Sequence, residues 1–155
     1  MNSELISPVL RHVGALARTI NTHSEVVFRQ LQLQRGQFIY ITRVCEHPGI
    51  NLVDLANELC IDKTTVTKAV QKLIVGEWLE KIPDNDDRRM LRLYPTTRSL
   101  AAYERLIGAE NCGIMACFSE LTVKEQREIE RLLAKMNNGA AKLETILNKE
   151  FINHD

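Results

Sequence analysis

The sequence predicts a mainly α fold with one small β-hairpin, and three observations carry that reading. Apolar residues recur at helical spacing over most of the 155 residues. Strand-like alternation is confined to two short runs, 78–82 and 88–94, joined by Pro83-Asp84-Asn85-Asp86-Asp87. The helix just before those runs, Lys63 to Gly76, carries lysines and hydrogen-bonding groups on its polar side and no acid. A short capped helix, a helix with a cationic face and a charged hairpin in direct succession are the parts of a winged helix-turn-helix. We therefore expect such a domain, flanked by long dimerisation helices.

Each element has its own justification. Val9, Val13, Leu16, Ala17, Ile20, Val27 and Leu31 define an amphipathic first helix over 7–31, with Pro8 tolerated in its opening turn. A second helix, about 34–46, stops at Pro48-Gly49. Asn51, with Asp54 three residues on, signals the next start, because an Asn side chain can accept the unpaired N–H groups of a first turn and an acid there suits the helix dipole. Leu52, Leu55, Ala56 and Leu59 give that helix its apolar face. Cys60-Ile61 breaks the pattern, and Asp62 is the following cap. At about 100° per residue, Val66, Ala69, Val70, Leu73 and Ile74 fall on one side of helix 63–76 and Thr64, Lys68, Gln71 and Lys72 on the other. After the hairpin, 97–117 and 122 to about 149 read as long helices. Thr122 and Glu125 form a capping box for the last one, and Leu132, Leu133, Met136, Ala140, Leu143, Ile146 and Leu147 make its stripe.

The cationic helix is the candidate site. A solvated surface helix usually mixes charge signs, whereas this polar face does not. An α-helix fits the major groove, where lysine donates to guanine, Gln pairs with adenine and a threonine methyl touches thymine. That chemistry makes Thr64, Thr65, Lys68 and Gln71 candidates for base edges, and Lys63, Thr67, Lys72 and Arg88 candidates for phosphates. Arg89 is expected at the minor groove, where narrow A·T-rich segments concentrate negative potential. Asp87 and Arg89, one residue apart in a strand, would share a face and can pair. Either the pair only fixes the hairpin tip as a local salt bridge, or Asp87 orients Arg89 for the minor groove, and the two readings are compatible.

The residues Asp54-Leu55-Ala56 to Leu59, Val66-Thr67-Lys68, Asp84-Asn85-Asp86-Asp87-Arg88-Arg89 ahead of Thr96, and Leu121-Thr122-Val123-Lys124-Glu125 together resemble the MarR family of transcriptional regulators over nearly the whole chain. The resemblance implies a dimeric winged-helix DNA-binding protein, with 63–76 as recognition helix and the family's Asp-x-Arg wing motif on Asp87 and Arg89. It also implies a small aromatic-acid-like effector, held between dimer helices and DNA lobe. Three departures stand out: Glu77 occupies the place of a glycine after the recognition helix, with Gly76 one position early, and Pro95 and Ser99 replace a Leu and a Gly at the wing exit. The reading thus treats 1–155 as a single MarR-like chain, with 34–96 as the DNA-binding lobe and 1–32 and 97–155 as dimerisation helices.

Composition narrows the function. The formal net charge is zero, so DNA binding must come from local charge; residues 63–92 carry seven basic and five acidic groups, the acids lying outside the polar face of helix 63–76. No apolar run approaches the roughly 20 residues a membrane-spanning helix needs, and Glu4, Arg11 and His12 interrupt any signal-like segment, so a cytoplasmic protein is expected. Cys45, Cys60, Cys112 and Cys117 show no metal or disulfide spacing and are expected to be free thiols, mostly buried. A redox-sensing branch of the resembled family has its cysteine in the first helix, where this chain has none. His12 and His23 lie about 16 Å apart along one helix and cannot share an ion. No nucleophile–base arrangement, glycine-rich phosphate loop or HExxH motif is present, so neither an enzyme nor a cofactor or metal is expected. The expectation is a ligand-responsive repressor, binding a pseudo-palindromic operator in double-stranded DNA as a homodimer. Its rivals are a winged-helix protein-interaction module without DNA binding, and a redox- or metal-responsive regulator.

Overall fold

The computed structural model describes residues 5–34 and 36–143. Six helices and one hairpin follow in the order α1 (Val9–Gln30), α2 (Phe38–Glu46), α3 (Leu52–Leu59), α4 (Lys63–Val75), β1 (Leu79–Pro83), β2 (Leu91–Pro95), α5 (Thr97–Phe118) and α6 (Val123–Ala140). The fold is mainly α, with a two-stranded antiparallel wing. The chain divides into two compact units, residues 1–113 and 114–155.

The first unit is built around one apolar core. Phe28 of α1 stacks on Phe38 of α2 at 4.3 Å between centroids, and Ile41, Val44, Leu55, Val66, Leu73, Leu93 and Leu106 are fully enclosed. The sequence explains the joints. Asn51 Oδ1 accepts the N–H groups of Val53 and Asp54, both at 2.9 Å, and so caps α3. Asp62 Oδ1 accepts from Thr65 N at 2.9 Å and caps α4. Caps of this kind are worth about 1 kcal/mol each. Helices α1, α3 and α4 end on residues in the left-handed region, Gln32, Cys60 and Glu77, with φ of 60°, 53° and 58°. After α4, the Glu77 N–H reaches the Ile74 carbonyl at 3.0 Å and the Trp78 N–H reaches that of Leu73 at 2.8 Å, the bond pair of a Schellman ending. Glu77 thus does a glycine's work. Gly76 is the cap residue at φ −81° and uses none of its freedom.

The α2–α3 turn also pairs with the wing, a contact that periodicity does not predict. Gly49 N donates to Leu93 O at 2.7 Å and Leu93 N to Ile50 O at 2.9 Å, beside an antiparallel bridge of Asn51 with Arg92. Gly49 has φ +90°, and a Cβ there would lie 3.3 Å from the Tyr94 hydroxyl, so only glycine suits the position. Helix α5 is tied back to α2 by the Tyr103 hydroxyl, which donates to Glu46 at 3.1 Å.

Some boundaries differ from expectation. Helix α2 starts at Phe38 rather than near 34, because Gly36 at φ +78° interrupts the helical path. The return strand starts at Leu91, after the two arginines. Helix α6, in the second unit, is regular to Ala140; of the expected continuation to 149, residues 144–149, with Ile146 and Leu147, lie outside the described residues. Its capping box is formed: Glu125 Oε2 accepts the Thr122 N–H at 2.8 Å, and Thr122 Oγ1 accepts from Glu125 N at 3.4 Å. No residue of α6 is buried.

Candidate nucleic-acid interface

Burial on one side of α4 decides what the other side presents. Val66, Val70 and Leu73 are buried, which turns Lys63, Thr64, Lys68, Gln71 and Lys72 outward. All five are exposed, and none of their side chains carries a hydrogen bond or ion pair among the described residues. Three ammonium groups, an amide and a hydroxyl are therefore free to bind a ligand. No acid interrupts them between Lys63 and Gly76.

Two threonines are committed elsewhere. The Thr65 hydroxyl donates to Asp62 Oδ2 at 2.6 Å and its N–H to Oδ1, a double interaction that holds the Asp62 carboxyl below its ordinary range. Thr65 therefore braces the helix start with its hydroxyl proton, which leaves its methyl for the expected base-edge contact. The Thr67 hydroxyl donates to the Lys63 carbonyl at 2.7 Å, as Ser and Thr in mid-helix commonly do. A phosphate accepts hydrogen bonds and cannot donate them, so the expected Thr67 contact to phosphate lacks its proton in this conformation.

The wing tip is also organised differently from expectation. Arg88 and Arg89 lie in the turn between the strands, exposed and without an ion pair among the described residues. Asp87 Oδ1 accepts the backbone N–H of Arg89 at 3.0 Å in place of its guanidinium, so Asp87 sets the path of the chain at Arg89 and leaves the side chain unpaired. The salt bridge of the wing is Arg92 to Asp84 at 2.6 Å. Asp84 further accepts the N–H groups of Asp86 at 2.8 Å and Asp87 at 3.1 Å, and Arg92 reaches the Gly49 carbonyl at 3.2 Å. The Arg92 hydrogen bond, followed by those two backbone bonds, lowers the Asp84 carboxyl to about 2. Sequence reasoning passes over this pair because Arg92 sits mid-strand, where alternation alone marks it as a surface residue. The acid-rich Asp84-Asn85-Asp86-Asp87 turn was the available signal.

Helix α4 and the wing tip lie within the first unit, with their cations outward and the carboxylates of Asp62, Asp84 and Asp87 engaged in caps and turns. An open groove of about 330 Å³ runs beside α4, lined by Gln32, Gln34, Gln37, Gln71, Lys72 and Trp78. Of the cysteines, Cys60 and Cys112 are exposed and Cys45 and Cys117 partly so, which corrects the expectation that most are buried. Burial, and then the neighbouring Glu46, push the Cys45 thiol up to about 11, far from a reactive thiolate. Among the described residues, no cluster of three or more His, Cys, Asp or Glu could hold a metal, and no helix is long and apolar enough to cross a membrane.

A tight helix-turn-helix with a cationic outward helix and a basic-tipped wing defines a winged helix-turn-helix protein, and its relatives are DNA-binding transcription regulators. The MarR family model matches residues 33–91. The chain is 30% identical to the uncharacterised HTH-type transcriptional regulator YybA of Bacillus subtilis, over 86% of this chain and 89% of that protein. It is 44% identical to a MarR protein of Peptoclostridium difficile, with TM-score 0.82 over 90% and 92% of the two chains. A MarR family regulator of Listeria monocytogenes, solved with a 26mer DNA, superposes with TM-score 0.86 at 27% identity, over 94% and 97%. The chain belongs to the MarR family.

Proposed function

We propose that the protein is a cytoplasmic, ligand-responsive repressor that binds a pseudo-palindromic operator in double-stranded DNA as a homodimer. The carrying observation is the outward face of α4, with Lys63, Thr64, Lys68, Gln71 and Lys72 exposed and unpaired. Lys68, Gln71 and Thr64 read base edges, Lys63, Lys72 and Arg88 neutralise phosphates, and Arg89 enters the minor groove. Binding of the related Listeria regulator to DNA supports the reading. Uncovered apolar side chains along α1 and α6, among them Val13, Leu16, Leu132 and Met136, support a second copy as partner.

The effector is read as a small aromatic-acid-like molecule. The groove beside Gln71 and Lys72 supports a direct route, since an occupant there would meet two of the DNA-facing side chains. Any such ligand acts only through its difference in affinity for the free and DNA-bound states. A redox reading draws on the exposure of Cys60 in the turn ahead of α4. Low-dose peroxide that abolishes DNA binding, with protection by Cys60→Ser, would favour it over the small-molecule reading.

The test is selection from random-sequence DNA followed by footprinting. Two half-sites about 34 Å, one helical turn, apart on one face of the duplex are expected. A clean one-to-one complex on a single half-site would remove the dimer model. Absence of any DNA binding at low salt would leave the protein-interaction module as the reading.

A further inference from the structure

We infer that Arg98 is a positioning residue for DNA recognition: it fastens the exit of α4 to the first turn of α5 and so sets the angle at which Lys68 and Gln71 meet the bases. The inference rests on the reading of α4 as the base-reading helix. A helix end leaves its last carbonyls without partners in the helix, and the chain leaving α4 exposes three more at Gly76, Glu77 and Trp78. The start of α5 takes all three. Arg98 Nη1 donates to the Gly76 carbonyl at 2.7 Å. The Thr96 hydroxyl lies 2.8 Å from the Glu77 carbonyl and 3.0 Å from that of Trp78, sharing its proton between them. Thr96 N at 3.2 Å and the Ser99 hydroxyl also donate to the Trp78 carbonyl. Thr96 Oγ1 in turn accepts from Ser99 N at 3.3 Å, so the residue that caps α5 also holds the end of α4.

Within this clamp Arg98 is the exposed member. Its guanidinium lies 4.1 Å from the centre of the Trp78 ring while donating to Gly76. Trp78 is only 5% exposed, a fixed platform. A planar guanidinium can stack face to face on an indole and donate in its own plane at once, whereas a tetrahedral ammonium cannot stack and holds the carbonyl on a flexible stem without that fixed geometry. Gly76 N itself bonds the Lys72 carbonyl at 2.9 Å, so the anchor is one hydrogen bond away from the turn that bears Gln71 and Lys72. Recognition groups must be held to within about 0.5 Å of productive geometry, and a support of this kind supplies that constraint.

Two rival roles for Arg98 are simple support of the fold and direct contact with a phosphate, and one experiment separates all three. An operator is selected from random DNA with the unaltered protein. Affinities of that protein, Arg98→Lys and Arg98→Ala are then measured against salt on the operator and on a scrambled duplex, with folded fraction checked by thermal melting. We expect both variants to lose about tenfold in the operator-to-scrambled ratio, with affinity for the scrambled duplex and its salt slope unchanged. Equal losses on both duplexes would mean that Arg98 only stabilises the fold, and would overturn the inference. A slope reduced by about one in Arg98→Ala and restored in Arg98→Lys would make it a phosphate contact, and would overturn it equally. If the unaltered protein prefers no sequence at all, the reading of α4 itself fails and the inference falls with it, a result visible before any variant is made.

Discussion

Helices α4 and α6 are both amphipathic, and their apolar stripes have opposite fates. In α4, Val66, Val70 and Leu73 disappear into the core of the first unit. In α6, Ile129, Leu132, Leu133 and Met136 remain 36–42% exposed and nothing is buried. Periodicity thus reports that a face exists and is silent about what covers it. An 18-residue helix that buries no side chain has little tertiary packing to hold it, and helices not much shorter are marginal in water when isolated. Covering that stripe with a second copy of the chain, at about 25 cal/mol per Å² of apolar surface removed from water, would supply what the monomer lacks.

The largest expected effects test this contrast directly. Leu73→Ala should cost about 2–5 kcal/mol in unfolding free energy and leave the oligomeric state of the folded protein as it was. With the proposed homodimer formed through α6, Leu132→Asp with Met136→Asp should do the reverse, converting that dimer to monomer in sedimentation and reducing helix content by circular dichroism while the core of the first unit stays folded. An α6 double variant that sediments like the parent would end the argument that α6 needs a partner chain.

The next effects separate α4 from the wing. Lys68→Ala and Gln71→Ala should each cost about 1–3 kcal/mol on the correct base and little on others, flattening the preference at one position. Arg89→Ala should reduce the salt slope by about one and weaken operators with A·T-rich flanks most, while base preferences in the major groove stay. Affinity against salt on two operators that differ only in their flanks decides it. Equal losses with an unchanged slope would leave Arg89 without a minor-groove role.

Much of this was legible in the sequence wherever the signal is local. The caps at Asn51, Asp62 and Thr122 and the outward set on α4 follow from neighbours within one or two helical turns. The misplaced features depend on partners or on competition between them. Thr65 and Thr67 look like free donors until Asp62 and the Lys63 carbonyl claim them. Asp87 and Arg89 have the spacing of a strand pair, yet the turn carries both residues and the acid takes a backbone N–H. The clamp on Trp78 joins residues 18 to 22 positions from their acceptors, a separation at which no periodicity could announce it.

A smaller effect is expected at the exit of α4. Glu77 holds φ 58°, which costs an ordinary L-residue energy that glycine avoids, against glycine's larger entropy loss on folding. Glu77→Gly should therefore stabilise the lobe by about 0.5–1 kcal/mol in denaturant unfolding, without altering operator affinity. A destabilised Glu77→Gly would show that the glutamate side chain contributes more than its backbone costs.

The most local effect concerns the acid that shapes the wing. In the folded protein the Asp84 carboxyl is lowered from 3.8 to about 2 by the hydrogen bond from Arg92, then by the N–H groups of Asp87 and Asp86. A group whose folded value is depressed favours folding above its unfolded value, and that contribution fades as pH falls through the folded one. The wing should thus keep its geometry at neutral pH, begin to lose this support as pH falls below about 4, with Asp84 half protonated near pH 2, and lose it fully only below that. Arg92→Gln removes the largest cause while the two backbone donors remain, so the Asp84 midpoint should move upward part of the way toward 3.8. Carbon-detected NMR titration of Asp84 in both proteins measures the two midpoints. A midpoint near 3.8 in the parent would mean that the Arg92 pair does not persist in solution, and the wing would then hold its arginines by backbone turns alone.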